Sequence, residues 1–494
     1  MTYEEIRKSP AVRAINNFID SKYMLVIMAL LALLSNVFSM EMPVYICLFA
    51  VSIYVCLFGK SVLFFAPLVS FAYVTPSMGN NPVTNSESIF YPDQQLYVLI
   101  TMIVTIALVF FVRVTYDVGF VRFLKRPRKL LVGFLLLGLS FVLGGLGSDS
   151  YSILSLGYSL LLFVSLFLVY FLVMGAVDWT HVERDYVAWM GMLLAATVAL
   201  ELIYVYLSDW EAVYESGSID RYEIMTGWGS RTSMGFVIAM GIPFAFYLAC
   251  TKKYGFIFNI VGSLLLVADF VTCCRGSMLF GTLIYAVCMI PTIRCKMNRI
   301  GNLAVYATAL ISATIILFYY PDELILLFAD ILDPNLGDSG RAEIYADAIA
   351  KFQDSYLFGS GFYAADTGVA GSWYDKTGTF FLPDFWHNTI LQMAAGCGIV
   401  GLCAYMFHRY QTVMLITNSP SLLNIFIALS ILTLLLICMV DCHLFNIGGG
   451  LIYSALLPFA EGEEQMMPEK GKDNIKASFR HYRNGKLRAD NTAL

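Results

Sequence analysis

Apolar runs of bilayer-crossing length alternate with short polar segments along almost the whole chain. Measured against the ~20 residues that a membrane-crossing helix needs, fourteen candidates stand out: 23–39, 43–58, 61–75, 95–112, 130–147, 153–175, 186–207, 233–250, 255–272, 277–292, 302–320, 388–406, 422–440 and 443–460. The run at 61–75 is short, closed by Lys60 and Pro76, and reads equally as a re-entrant segment. The turn near 272–277 is tight. The pattern predicts an all-α polytopic membrane protein with about twelve to fourteen transmembrane helices.

The polar intervals set the organisation. Residues 1–22 form a polar N-terminal segment in which Val12, Ile15 and Ile19 recur at helical spacing, as in a helix lying on a membrane surface; no cleavable leader is expected. A helix bundle over 23–320 follows, then a large loop over 321–387, further membrane helices over 388–460, and a basic tail over 461–494. Within the loop, RAEIYADAIAKF predicts a helix capped by Asp338 or Ser339, with Ile344, Ala348 and Phe352 on one face. Trp373, Tyr374, Phe380, Phe381, Phe385 and Trp386 then lead back toward the bilayer. Such aromatics mark the membrane boundary or stack on sugar rings.

Composition agrees: hydrophobic residues make up 59% and charged residues 14%, with a mean hydropathy of +0.71. Lipid must be the solvent for such a surface. The eleven cysteines lie mostly in apolar runs and none falls in 321–387, so neither a disulfide framework nor a zinc site is expected.

Charge orients the chain. With the N-terminus inside and sides alternating, 25 of the 31 basic residues fall in cytoplasmic segments, as the positive-inside bias requires. Both termini are then expected to be cytoplasmic. The exceptions are Arg221, Arg231, Arg275, Arg341, Lys351 and Lys376, set among outer acids. Arg231 and Arg275 stand where outer segments become helices, each followed by small or hydroxyl residues. An arginine there either snorkels, pairs with an acid such as Asp269, or grips a phosphate with its planar fork. Arg341 opens the loop helix, where it serves as a site residue or as a solvated cation. Of the five histidines, His181, His408 and His481 fall on the inner side, while His387 and His443 reach the outer one. His387 is either a hydrogen-bonding residue at a helix start or a base for a sugar hydroxyl.

Taken together, these pieces resemble the O-antigen polymerase and ligase superfamily over roughly residues 200–410. The pieces are the Arg231 segment with Gly235 and Pro243, CRGS around Arg275, SGRAEIYADAIAKF followed by FGSGF, and HN-x-x-L followed by G-x-x-G. The resemblance implies a GT-C-like integral membrane glycosyltransferase, with no metal or other cofactor, that uses undecaprenyl-diphosphate-linked glycans as donor and acceptor. It places Arg231 and Arg275 on the diphosphate, Arg341 in support and His387 as general base. Cys274 stands where many relatives have Ser. His443 lies outside the resembling stretch and is expected to matter less; Asp441 and the outer acids are second choices for the base. Membrane lipid, a flippase and a chain-length regulator are the further partners implied, with no nucleic acid.

The expected reaction is Wzy-type polymerisation, transferring a growing glycan to a lipid-linked repeat unit for capsule, exopolysaccharide or O-antigen. A ligase moving finished glycan to lipid A core or protein is the alternative within the enzyme class. A lipid-linked oligosaccharide flippase is the non-enzymatic one, disfavoured by the long outer loop with its histidine.

Overall fold

The computed structural model describes residues 3–38, 40–59, 61–75, 94–117, 120–149, 151–215, 218–219, 224–226, 228–322, 341–362, 364 and 385–466. The fold is all-α and polytopic. Each of the fourteen apolar runs is a helix, from Lys22–Phe38 to Ile447–Gly462. Among the described residues the named strands are a two-residue antiparallel pair, Tyr214–Glu215 with Ser218–Ile219. The caps expected at Asp338 and Ser339, the aromatics Trp373, Tyr374, Phe380 and Phe381, and the basic tail beyond 466 lie outside the described residues.

Not every helix is a full crossing. Seven described helices are long and apolar enough to span a membrane, or eight if Pro10–Ile19 and Lys22–Phe38, which meet at 62°, count as one bent span. Met102–Thr115, Leu131–Leu143, Gly255–Val271 and Leu422–Ile437 are apolar but shorter. Twelve to fourteen crossings are thus not all present as full-length helices. Irregular backbone at membrane depth is tolerated where protein buries it. The run at 130–147 shows how: its helix stops at Leu143, and the Gly145 amide then donates to the Phe358 carbonyl at 2.8 Å.

The centre of the bundle is Arg231–Thr251, whose membrane-length window is wholly buried. A helix apolar all round must be enclosed on every side, and Tyr186–Ser208, Gly255–Val271, Arg275–Arg294 and Leu422–Ile437 enclose this one. Gly235 sets the closest approach: a Cβ there would lie 2.3 Å from Ser277 Oγ and 2.9 Å from its Cβ. The N-terminal ends of the Arg231 and Arg275 helices therefore stand side by side.

The large loop returns deep into the bundle. Thr389–Asn418 is interrupted at Gly398, with φ 64° and ψ −161°. The carbonyls of Ala395 and Gly396 accept from the Ser360 and Gly361 amides at 2.7 and 2.9 Å, and Ile399 N–H donates to Tyr356 O at 2.8 Å. FGSGF and the glycines after HN-x-x-L thus complete each other's hydrogen bonding, as backbone inside a membrane protein must. Phe362 anchors the return, fully buried among Phe141, Tyr158 and Phe445.

The apolar run at 388–406 belongs to a longer helix: His408 and Arg409, just beyond the run, lie inside the same helix, which continues to Asn418. His408 is fully buried, with Nε2 3.0 Å from the Tyr453 hydroxyl, and the Arg409 guanidinium stacks over Tyr405 and Tyr453. Trp386 neither marks a boundary nor offers a face to sugar: it is fully buried, its indole N–H donating to Asp347 at 2.7 Å. Burying so large a ring beneath the loop helix, with its polar atom satisfied, favours packing over exposure.

Candidate functional site

Three of the candidate residues are the first residues of helices: Arg231–Thr251, Arg275–Arg294 and Arg341–Asp354. A cation at the positive end of a helix dipole is unfavourably placed by about 0.3–1 kcal/mol. Three such placements on one side of the bundle suit a site that receives an anion. Arg231, Arg275 and Arg341 are all half-buried.

His387 precedes the N-cap of Thr389–Asn418. Asn388 caps that helix, its side-chain oxygen accepting from the Ile390 and Leu391 amides at 2.9 and 3.1 Å. Its amide nitrogen donates to Met439 O at 2.9 Å, and the Thr389 amide donates to Cys438 O at 2.9 Å. The Asn of the HN pair thus ties the helix start to the 438–441 turn, which presents Asp441 to His387. Nδ1 of His387 lies 3.3 Å from Oδ1 of Asp441, and Nε2 of His443 lies 3.3 Å from Oδ2. Oδ1 also accepts from the Cys442 amide at 2.7 Å. Burial would push the Asp441 carboxyl up, but His443 and His387 more than offset it and hold the group well below the usual carboxylate range.

The two histidines differ in access. The His387 side chain is 42% exposed, whereas that of His443 is 5% exposed, under the Phe236 ring at 4.4 Å. Only His387 is open to an incoming hydroxyl. Its backbone is unusual as well: His387 (φ 48°) and Cys273 (φ 54°) are the non-glycine residues with positive φ among those described. His387 is itself a candidate and Cys273 lies two residues before Arg275, and such strain gathers where a fold holds side chains for function.

The surrounding contacts bring the pieces together. A Cβ on Gly276 would meet Val440 Cγ2 at 2.7 Å, so the start of the Arg275 helix touches the turn bearing Asp441. Phe236, on the Arg231 helix, carries His443. The Tyr345 hydroxyl, on the Arg341 helix, donates to the His387 carbonyl at 3.5 Å, while Ile344 and Ala348 are buried beneath it. All four candidates, Arg231, Arg275, Arg341 and His387, sit on elements that meet around Asp441. Among the described residues no group of His, Cys, Asp and Glu side chains is placed to hold a metal ion.

Sequence reasoning ranked Asp441 below His387 and set His443 aside, yet they form one contact chain. The available signal was Asp-x-His between two apolar helices, CMVDCHLFN, where an acid and an imidazole near lipid need partners.

Comparison with known proteins gives one family. Residues 260–406 match the family model described as O-Antigen ligase, Wzy_C. No curated protein matches the chain. The match includes Arg275, Arg341 and His387 and leaves Arg231, Asp441 and His443 outside, so their place in the site rests on geometry alone. A domain of the O-antigen ligase family in a multi-pass membrane protein agrees with the resemblance to the polymerase and ligase superfamily. It supports a glycan-processing role of ligase or polymerase type, a glycosyltransferase-like enzyme working on lipid-linked glycans.

Proposed function

We propose that this membrane protein, with its O-antigen ligase domain at 260–406, polymerises polysaccharide on the outer side of the bacterial inner membrane. It takes a growing glycan from undecaprenyl diphosphate and joins it to a hydroxyl of a lipid-linked repeat unit. The observation that carries this reading is the meeting of the Arg231 and Arg275 helix starts with the His387–Asp441 pair.

Asp441 accepts from Nδ1–H of His387 and leaves Nε2 with its lone pair outward. Nε2 removes the proton from the acceptor hydroxyl as its oxygen bonds to the anomeric carbon of the donor glycan. The bond from that carbon to the diphosphate oxygen breaks, and the electron pair leaves on undecaprenyl diphosphate. Arg231 and Arg275, with two helix N-termini behind them, stabilise that charge without reorganising, and Arg341 supports them. Fixed guanidinium groups replace the metal that soluble nucleotide-sugar transferases use, so transfer proceeds in EDTA. Polymer chains would then pass to partners such as a chain-length regulator, after a flippase has delivered the repeat units.

The matched family's description favours a second reading, ligation of finished glycan to lipid A core or protein. Purified protein given lipid-linked repeat units alone separates the two. A ladder of lengthening products with release of undecaprenyl diphosphate supports polymerisation. Transfer only after lipid A core or an acceptor protein is added establishes the ligase, and no release under either condition sinks both.

A further inference from the structure

Before the Arg231 helix starts, the chain turns back into the bundle. Glu201 sits about two turns before the end of Tyr186–Ser208 and is fully buried. A carboxyl inside an apolar helix is costly and is retained where it holds something. Here it holds Trp228, whose indole N–H donates to Glu201 Oε2 at 2.9 Å; Trp228 is its one hydrogen-bonding partner among the described residues. An indole N–H can only donate. The carbonyls of a continuous helix are already engaged, so a side-chain oxygen is needed to fix the ring at this depth.

The ring is fixed on its other side as well. Tyr73 meets Trp228 edge to face at 5.2 Å, and is itself pinned by Gly448, where a Cβ would lie 1.9 Å from its ring. Trp228 stands three residues before Arg231, in a closed turn. The Thr226 amide and hydroxyl donate to Gly229 O at 2.9 and 3.0 Å, and Met225 and Ser230 bridge across the turn. Gly229 packs on Ser233, since a Cβ there would lie 2.7 Å from the Ser233 Cβ. Ser230 is the N-cap residue of Arg231–Thr251 yet makes no side-chain cap bond. The turn, not the cap, therefore fixes where the backbone enters that helix, and Trp228 ties the turn to the bundle. A displaced entry moves Arg231 first, and a charge-assisted contact to a reacting group tolerates little misplacement.

We propose that Glu201 is a positioning residue for Arg231: it holds Trp228, and Trp228 holds the turn that presents the guanidinium to the diphosphate of the lipid-linked donor. This rests on the reading of Arg231 as a diphosphate ligand, and the test keeps the two apart. Full-length protein purified in detergent is titrated with undecaprenyl diphosphate, and Kd is measured for each variant. The indole hydrogen bond is read separately, as the ultraviolet resonance Raman difference between each protein and its Trp228→Phe counterpart.

Glu201→Leu should weaken binding about tenfold, the loss of one charge-assisted contact at Arg231, and should shift the indole signature. Glu201→Gln keeps the acceptor oxygen and should keep most of both. Glu201→Leu added to Arg231→Ala should weaken binding no further, because the effect runs through Arg231. If Glu201→Leu fails to fold, Glu201→Leu combined with Trp228→Phe carries the test, since replacing both partners by apolar groups is close to neutral for folding; it too should bind about tenfold more weakly. Wild-type Kd in that double variant, an unshifted indole signature in Glu201→Leu, or additive losses with Arg231→Ala would each overturn the proposal while leaving the diphosphate reading in place. Binding by Arg231→Ala at the wild-type Kd would sink that reading, and the proposal with it.

Discussion

Replacing Asp441 by Asn tests how the His387 imidazole is held. The amide keeps the size and planarity of the carboxylate. Its oxygen can still accept from the Cys442 amide, now at 2.7 Å, and from His387 Nδ1, now at 3.3 Å. Its NH₂ then faces His443 Nε2, which lies 3.3 Å from Oδ2. The perturbation therefore removes charge and leaves shape. A hydrogen bond to a charged group contributes about 1.5–3 kcal/mol, and 3.3 Å is just beyond the usual 2.7–3.2 Å range, so the lower figure applies. At about 1.4 kcal/mol per decade, Asp441→Asn should slow glycan transfer about tenfold, with donor KM nearly unchanged because the arginines remain. A second readout follows from the depressed carboxyl. Its folded-state pKa lies below the unfolded value, so its contribution to stability is present above about pH 4. That contribution disappears as acidification passes through the folded value, and thermal unfolding of Asp441→Asn should lack this acid-dependent component. Turnover within twofold of wild type, together with an unaltered acid dependence of unfolding, would refute the idea that Asp441 orients His387.

Three further outcomes are expected. Arg275→Lys keeps the charge but loses the planar fork, and should cost at least about 1.5–3 kcal/mol in transfer while the protein still inserts; near-normal polymer in cells would return Arg275 to snorkelling. Gly235→Ala forces the Arg231 and Arg275 helices apart against Ser277, at about 1–3 kcal/mol of overpacking. A lowered unfolding temperature with reduced transfer is expected, and an unshifted unfolding temperature would contradict the packing. A reporter fused after residue 480 should read cytoplasmic and one inserted near Gly368 external; the large loop read as cytoplasmic would put the glycan on the wrong side and end the functional case.

Much of this architecture was legible because lipid imposes a simple rule. A backbone crossing hydrocarbon must satisfy itself, so apolar runs such as 186–207 and 233–250 become helices wherever they occur. Run length was a poorer guide to crossing. Leu131–Leu143 stops early because a glycine turn and a returning loop supply the missing partners, a tertiary exchange between Gly145 and Phe358 that no local pattern reveals. The same holds for His408 and Arg409, where a charged residue suggested a boundary. Tyr405 and Tyr453 instead accommodate the guanidinium within the bundle. At the candidate site, the arginines and His387 were singled out from expected sidedness, as cations set against the prevailing charge bias. Asp441 was not, because its importance depends on Asn388 joining two segments about fifty residues apart.

The central claim is that His387 acts as the base in transfer from a lipid diphosphate held by Arg231 and Arg275. Release of undecaprenyl diphosphate from a purified lipid-linked donor, measured in a single turnover with acceptor in excess, tests it most directly. His387→Ala should bind the donor as the wild type does and release the lipid diphosphate about 10²–10⁴-fold more slowly, with EDTA changing neither rate. Release by His387→Ala at the wild-type rate would contradict the account.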